Sequence, residues 1–178
     1  MGLIEHRFGD GGIVIDDRLS PVIINTWWGS ATMEAVDAFF EWSDPFYAER
    51  TERGEKTVLI TDALDAQRPP ATIRRHIAMR TEATRTDERD ALLLGNLVVV
   101  GSAAVRGALT AIGWFSERRN TMVPVKNIVT AFEVSADLLR KAKLEVPAGL
   151  DATLYRRPVP TLGRVEGGLD ASEVQGRR

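Results

Sequence analysis

Leu92-Leu93-Leu94-Gly95-Asn96-Leu97-Val98-Val99-Val100-Gly101-Ser102 is the stretch whose reading decides the fold. An apolar run this short, rich in branched side chains and closed by Gly-Ser, reads as a strand buried on both faces. The residues that follow, Ala103 to Phe115, read as a helix with Val105, Leu109, Ile112 and Phe115 along one side. A doubly covered strand feeding a helix marks an α/β sheet with helices packed on it. Such sheets meet their ligands and partners just beyond the carboxyl ends of the strands. Attention therefore goes to the Gly101-Ser102 exit and to whatever lies beside it.

Upstream, Thr57-Val58-Leu59-Ile60-Thr61 reads as another strand, ending in Asp62-Ala63-Leu64-Asp65. A link containing Pro69-Pro70 follows. Pro70 or Ala71 opens a helix to about Glu88, weakly amphipathic, with Ile73, Ile77 and Met79 as its inward positions. Nearer the start, Ile13-Val14-Ile15 and Val22 to Trp27 read as an antiparallel pair joined by the turn-like Asp16 to Pro21, with Gly9 and Gly11-Gly12 as a preceding loop. Gly29-Ser30-Ala31-Thr32 opens a helix capped by Thr32 or Ser30. Pro45 cannot continue a helix without losing a hydrogen bond, so a break or kink is expected near Asp44.

Downstream, Met122 to Ile128 reads as a last strand, and Pro124, which has no amide donor, assigns it to an edge. Thr130-Ala131-Phe132-Glu133 has capping-box form and opens a helix to about Lys143, with Val134, Leu138 and Ala142 on one side. The expected fold class is α/β: a mixed sheet of about five strands, an N-terminal antiparallel hairpin followed by parallel βα units, with helices packed on it. Residues 1–147 form this domain. Residues 148–178 lack periodic segments, yet Leu150, Leu154, Tyr155, Val159 and Leu162 recur through them. They are expected to form an extended C-terminal arm that packs on its own domain or on a neighbouring copy.

A chain of 178 residues with 44% apolar residues suits one domain with a sizeable core. The net charge of −2 offers no basic field for nucleic acid. Without cysteine there are no disulfides, thiol nucleophiles or thiolate metal sites. No segment approaches the roughly 18–20 apolar residues of a membrane span, and the first residues lack the apolar core of a signal peptide. The expected location is the cytoplasm.

The chemical constellations are sparse. His6 and His76 lie in different elements, with no carboxylate at metal-ligand spacing. Gly101-Ser102 lacks the lysine of a phosphate-binding loop, and Val100-Gly101-Ser102-Ala103-Ala104 is no nucleophile elbow. Ser102 reads as a helix cap, and Asp16-Asp17 as turn residues. Asp62 and Asp65 stand where a sheet gathers function, or cap the loop through backbone amides. Arg74, Arg75, Arg80, Arg85 and Arg89, interleaved with acids, line a helix whose thin apolar face raises its value as a partner-binding surface. Of Trp27 and Trp28, strand alternation leaves one for the core and the other as a binding anchor or a residue under a helix or the arm. No cofactor and no enzymatic activity are expected.

The combination of a strand hairpin, Lys56-Thr57-Val58-Leu59-Ile60-Thr61-Asp62, Arg74 or Arg75 in the next helix, Val105 to Trp114, and the terminal strand–helix Val123 to Leu139 resembles the STAS fold. The likeness is to the STAS/SEC14-like, SpoIIAA-like group of small bacterial proteins, over residues 12–145. It implies a non-enzymatic signalling or scaffolding module that binds another protein, with a homo-oligomer as a further expectation. The resemblance also implies a phosphorylatable serine at the segment Thr61 to Thr72, but that segment contains none; Thr72 is its only hydroxyl near the helix start, and Asp62 matches the strand-ending aspartate. The expected partner-binding rim is Asp62, Asp65, Arg68, Thr72, Arg75, Ser102 and Arg106. The SEC14-like side of the resemblance implies an alternative, an apolar-ligand or lipid carrier with a cavity lined by Phe39, Phe40, Trp114 and Phe115.

Overall fold

The computed structural model describes residues 2–102 and 122–158. Six strands form one sheet in sequential order: β1 (Leu3–Phe8), β2 (Gly11–Asp16), β3 (Val22–Gly29), β4 (Thr57–Ala66), β5 (Leu93–Val99) and β6 (Met122–Val125). β1, β2 and β3 pair antiparallel, and β3 through β6 pair parallel. The helices are α1 (Met33–Glu52), α2 (Ala71–Ala83), α3 (Asp87–Leu92) and α4 (Ile128–Lys141). The mixed α/β class and the antiparallel opening match the sequence reading. The Ala103–Phe115 helix lies outside the described residues.

The sheet gains a strand over the five expected. β1 joins β2 through a tight Gly9-Asp10 turn, with Gly9 left-handed at φ 59°. Gly11-Gly12 is no loop: both glycines are buried in β2. A Cβ on Gly12 would collide with the Trp28 indole, which lies across it.

Alternation along the strands splits the core between two faces. Val22 and Ile24 of β3, Val58 and Ile60 of β4, and Leu97 and Val99 of β5 pack with Phe132 and Leu139 of α4. On the opposite face Ile13, Ile15 and Ile23 pack against Trp27, Phe39, Trp42 and Phe46, so α1 lies there. The two tryptophans point to opposite faces and both are covered, Trp28 over Gly12 and Trp27 against Phe39 with ring centroids 6.1 Å apart. Neither is a free anchor. The deciding strand is fully buried only in its second half, Leu97 to Val99, while Leu93 to Asn96 are half-covered and Leu92 belongs to α3.

Several boundaries differ from the sequence reading, each for a local reason. α1 runs uninterrupted through Pro45 because the tertiary packing of Val36, Phe40 and Tyr47 holds both halves in line. Its cap is Thr32, whose hydroxyl accepts the Ala35 amide at 3.2 Å. The expected second helix is two: α2 stops at Ala83, and Thr86 caps α3 by accepting the Arg89 amide at 3.1 Å. Met79 points outward and is 60% exposed, leaving Ile73 as the buried residue of α2. The cap of α4 lies three residues before the expected cap, Thr130. Asn127 caps the helix by accepting the Thr130 amide at 2.9 Å, and the buried stripe is Ala131, Phe132, Ser135, Ala136 and Leu139. Asn127→Ala should therefore lower stability by about 1 kcal/mol, read as a fall in the urea midpoint at unchanged slope.

Candidate functional site

The site begins with an irregularity in β4. The strand does not stop at Thr61 but runs to Ala66, so Asp62 and Asp65 lie within the sheet rather than in a loop. Thr26 stands opposite Asp62 and Trp28 opposite Asp65, so β4 carries one residue more than β3 between these pairs. This is a β-bulge, and it has two consequences. The Leu64 amide bonds to the Asp62 carboxylate at 3.1 Å. The extra residue also turns Asp65 to the same side as Asp62, where simple alternation would have opposed them.

That shared side receives Arg157, which lies 95 positions beyond Asp62 in the chain. Its Nε donates to Asp62 Oδ2 at 2.5 Å and its Nη2 to Asp62 Oδ1 at 3.2 Å, while Nη1 reaches Asp65. Asp62 is fully buried, whereas the Asp65 side chain is 54% exposed. Burial alone would lower the Arg157 guanidinium, but the hydrogen bonds and charges of the two carboxylates outweigh it and the net shift is upward.

The segment that carries Arg157 lies on the domain. Leu150, Ala152 and Tyr155 pack against the core, and the Tyr155 and Phe132 rings meet edge to face at 5.1 Å. The Tyr155 hydroxyl is buried close to Thr26 without closing a bond of normal geometry. Burial, with Asp16 and Asp62 nearby, pushes Tyr155 up to about 12. Asp16 is itself buried and holds the Arg18 amide at 3.1 Å and its guanidinium at 2.8 and 2.9 Å. These are the contacts of a turn.

The other expected rim residues fall elsewhere. Arg68 is exposed in the link after β4, and Thr72 and Arg75 are exposed on the first turns of α2. α2 packs through Ile73 on Val36 and Phe40 of α1, on the sheet face opposite Asp62. Gly101 lies against the Leu64 side chain, which brings exposed Ser102 beside the bulge. Arg106 lies outside the described residues. The rim is thus two patches, an acidic pair filled by Arg157 on one face and an arginine-bearing helix on the other.

The inner side of α2 is committed to α1. His76 Nε2 meets Asp37 Oδ1 at 2.8 Å, and Arg80 bonds the same oxygen at 2.7 Å while lying over the Phe40 ring. His76 therefore has a carboxylate partner that spacing did not reveal. Arg89 of α3 covers the Tyr47 ring at 4.4 Å and reaches Asp44 at 3.7 Å. Among the described residues no group of three or more His, Asp or Glu side chains could hold a metal ion. Among them, too, no helix is long and apolar enough to cross a membrane.

Sequence reasoning named Asp62 and Asp65, and Tyr155 as one of the recurring apolar residues of the arm, but missed Arg157. The signal available was compositional: two arginines directly after that aromatic, Tyr155-Arg156-Arg157.

No family model and no curated protein matches this chain. Its structure is similar to that of an uncharacterized protein of the DUF3478 family with a SpoIIAA-like fold from Shewanella loihica PV-4. The identity is 10%, covering 74% of this chain and 98% of that chain, at a TM-score of 0.50. The fold is SpoIIAA-like, as the sequence resemblance implied.

Proposed function

We propose that the protein is a non-enzymatic interaction module of signalling or scaffolding type, which docks another protein on the outer face of α2 and the adjoining link. The observation that carries this reading is the poverty of α2's own packing. A helix of 13 residues buries Ile73 and leaves Thr72, Arg75 and Met79 exposed along one outer line, with Arg68 just before it. Met79 at 60% exposure adds apolar contact area beside these cations. Arginine beside an exposed apolar side chain suits an acidic partner surface with an apolar centre.

Two further observations support a binding role over an enzymatic or carrier role. The buried carboxylate of Asp62 is held by Arg157 and the Leu64 amide, and His76 is held by Asp37, so these groups serve the fold. Phe39 and Phe40 pack on each other at 5.4 Å and fill the space between α1 and the sheet. The open depression at the α2–α3 turn is lined by Glu82, Arg85, Thr86 and Asp87, a polar set unsuited to an apolar ligand.

The test is affinity capture from the source cells with the wild-type chain, Arg68→Glu/Arg75→Glu, and a control reversal at Lys141 on α4. A specific partner should fall about ten-fold or more with the α2 double variant and stay level with the control. Equal recovery of every partner by all three proteins would overturn this choice of face.

A further inference from the structure

The arm that brings Arg157 to the sheet is held by side chains. Among the described residues its backbone–backbone hydrogen bonds stay local: the Leu150 amide donates to the Pro147 carbonyl, and the Leu154 and Tyr155 amides donate to the Asp151 carbonyl. The Arg156 guanidinium turns back on the Thr153 carbonyl. What ties the arm to the domain is the packing of Leu150, Ala152 and Tyr155 and the fork of Arg157 on Asp62 and Asp65. A segment with no ladder to the sheet opens more readily than a strand within it.

The surface beneath is shaped for a guanidinium. The bulge in β4 sets two carboxylates on one side, one fully buried and one half-exposed. Asp62 takes Nε at 2.5 Å and Nη2 at 3.2 Å along one edge of the guanidinium plane, and Asp65 takes Nη1. A lysine ammonium, a point charge without this planar fork, cannot satisfy both carboxylates in the same way.

The arm fills this surface incompletely. Thr26 stands opposite Asp62, is buried, and has a hydroxyl without a hydrogen-bond partner among the described residues. The Tyr155 hydroxyl beside it is unpaired in the same way. Buried hydroxyls left unpaired are unfavourable, so the resident segment leaves room for a better occupant. The Arg157 side chain is itself 22% exposed, so the fork is open to water on its outer side.

We propose that the Asp62–Asp65 fork is a recognition site for an arginine carried on an extended segment of a partner protein, and that Arg157 is its resident competitor. The arm shows the pattern that fits: an aromatic against the Phe132 ring, one residue turned back on the arm, then the arginine. When the arm lifts, it uncovers the two carboxylates together with the Thr26 hydroxyl and the Phe132 ring. An outside arginine binds only in the fraction of molecules whose arm is open, so the tethered Arg157 lowers its apparent affinity by that fraction. The site lies on the sheet face opposite α2 and stands or falls apart from the partner proposed there.

Fluorescence anisotropy tests it with the full chain and a labelled peptide of residues 150–158, blocked at both ends. Arg157→Met removes the competitor, so this variant should bind the peptide about ten-fold or more tighter than the wild type. Arg157→Lys keeps the charge and loses the fork; it serves where Arg157→Met is too unstable, and should gain affinity in the same direction. Adding Asp65→Asn, a change at a half-exposed position, should remove most of that gain, as should citrulline in place of the peptide's second arginine. Arg68→Glu/Arg75→Glu should leave peptide binding unchanged, and a loss there would place the peptide on α2 instead. Equal affinity of the wild type and both Arg157 variants, no binding to any of them, or equal affinity for the arginine and citrulline peptides would overturn the proposal. So would a wild-type dimer in sedimentation equilibrium that Arg157→Met dissolves, since the occupant would then be the arm of a second copy.

Discussion

Arg157→Met should cost the folded state about 3 kcal/mol, measured by urea unfolding. The reason lies in the partner left behind. Asp62 is fully buried in the sheet, and its other hydrogen bond comes from the Leu64 amide. Removing one member of a buried ion pair leaves an uncompensated charge, typically worth about 3–5 kcal/mol. The lower end applies because the arm can peel away and admit water to Asp62, losing the packing of Leu150 and Tyr155 instead. Adding Asp62→Asn should recover part of the loss. The amide oxygen still accepts from Leu64 and carries no charge to strand, whereas a leucine would orphan that amide. The double variant should be more stable than Arg157→Met alone, and trypsin should cut after Arg156 faster in the single variant than in the wild type. A loss below about 0.5 kcal/mol, the size of an ordinary surface change, would show that the pair is solvated in solution.

The sheet was legible where burial imposes a pattern. Val58, Ile60 and Leu97 to Val99 are buried by helices or neighbouring strands, and their apolar runs announce them. β1 was illegible for the opposite reason. It is an edge, largely open on both faces, so Glu5 and Arg7 can sit where a half-buried strand would need apolar residues. Gly12 reads as a loop glycine by local rules and is in fact a strand residue crossed by an indole sixteen positions away, which only the tertiary pairing of Gly12 with Trp28 reveals. Pro45 and Met79 failed in the same way: local propensity broke a helix that packing holds together, and period alone turned inward a side chain with nothing to pack on.

The site was legible in half. Asp62 and Asp65 mark the end of a strand, and their position alone made them candidates. What joins them is a bulge, which changes the side-chain period by one residue without any proline or glycine to signal it. Arg157 arrives from the arm, and no local pattern links it to residues 62 and 65. The expected rim also merged two faces of the sheet, since residues close to the end of β4 in sequence continue into α2 on the far side.

Alkaline pH should unfold the protein through its two tyrosines. Tyr47 is buried with its hydroxyl unpaired among the described residues, and burial pushes it up to about 12 against the opposing charges of Arg89 and Arg50. Tyr155 is likewise pushed up to about 12, chiefly by burial. The unfolded chain ionises both near the ordinary value of about 10. Below that pH neither state is ionised and the full stability is present. As pH rises towards 12 the unfolded state loses protons that the folded state retains, so stability falls across that window. Tyr47 alone accounts for about 2–3 kcal/mol of this loss by its folded value. Because the chain has two tyrosines, tyrosinate absorbance reports on these groups alone. It should rise together with the loss of far-ultraviolet circular dichroism, above pH 10, and an absorbance rise that precedes unfolding would contradict the burial. In Tyr47→Phe the remaining phenol becomes a reporter on the arm. Adding Arg157→Met removes a nearby positive charge, which by itself would raise Tyr155 further. If the arm instead detaches, Tyr155 meets water and titrates near its ordinary value while the sheet stays folded. The direction of that shift separates a latch that opens locally from a buried pair that takes the whole fold with it.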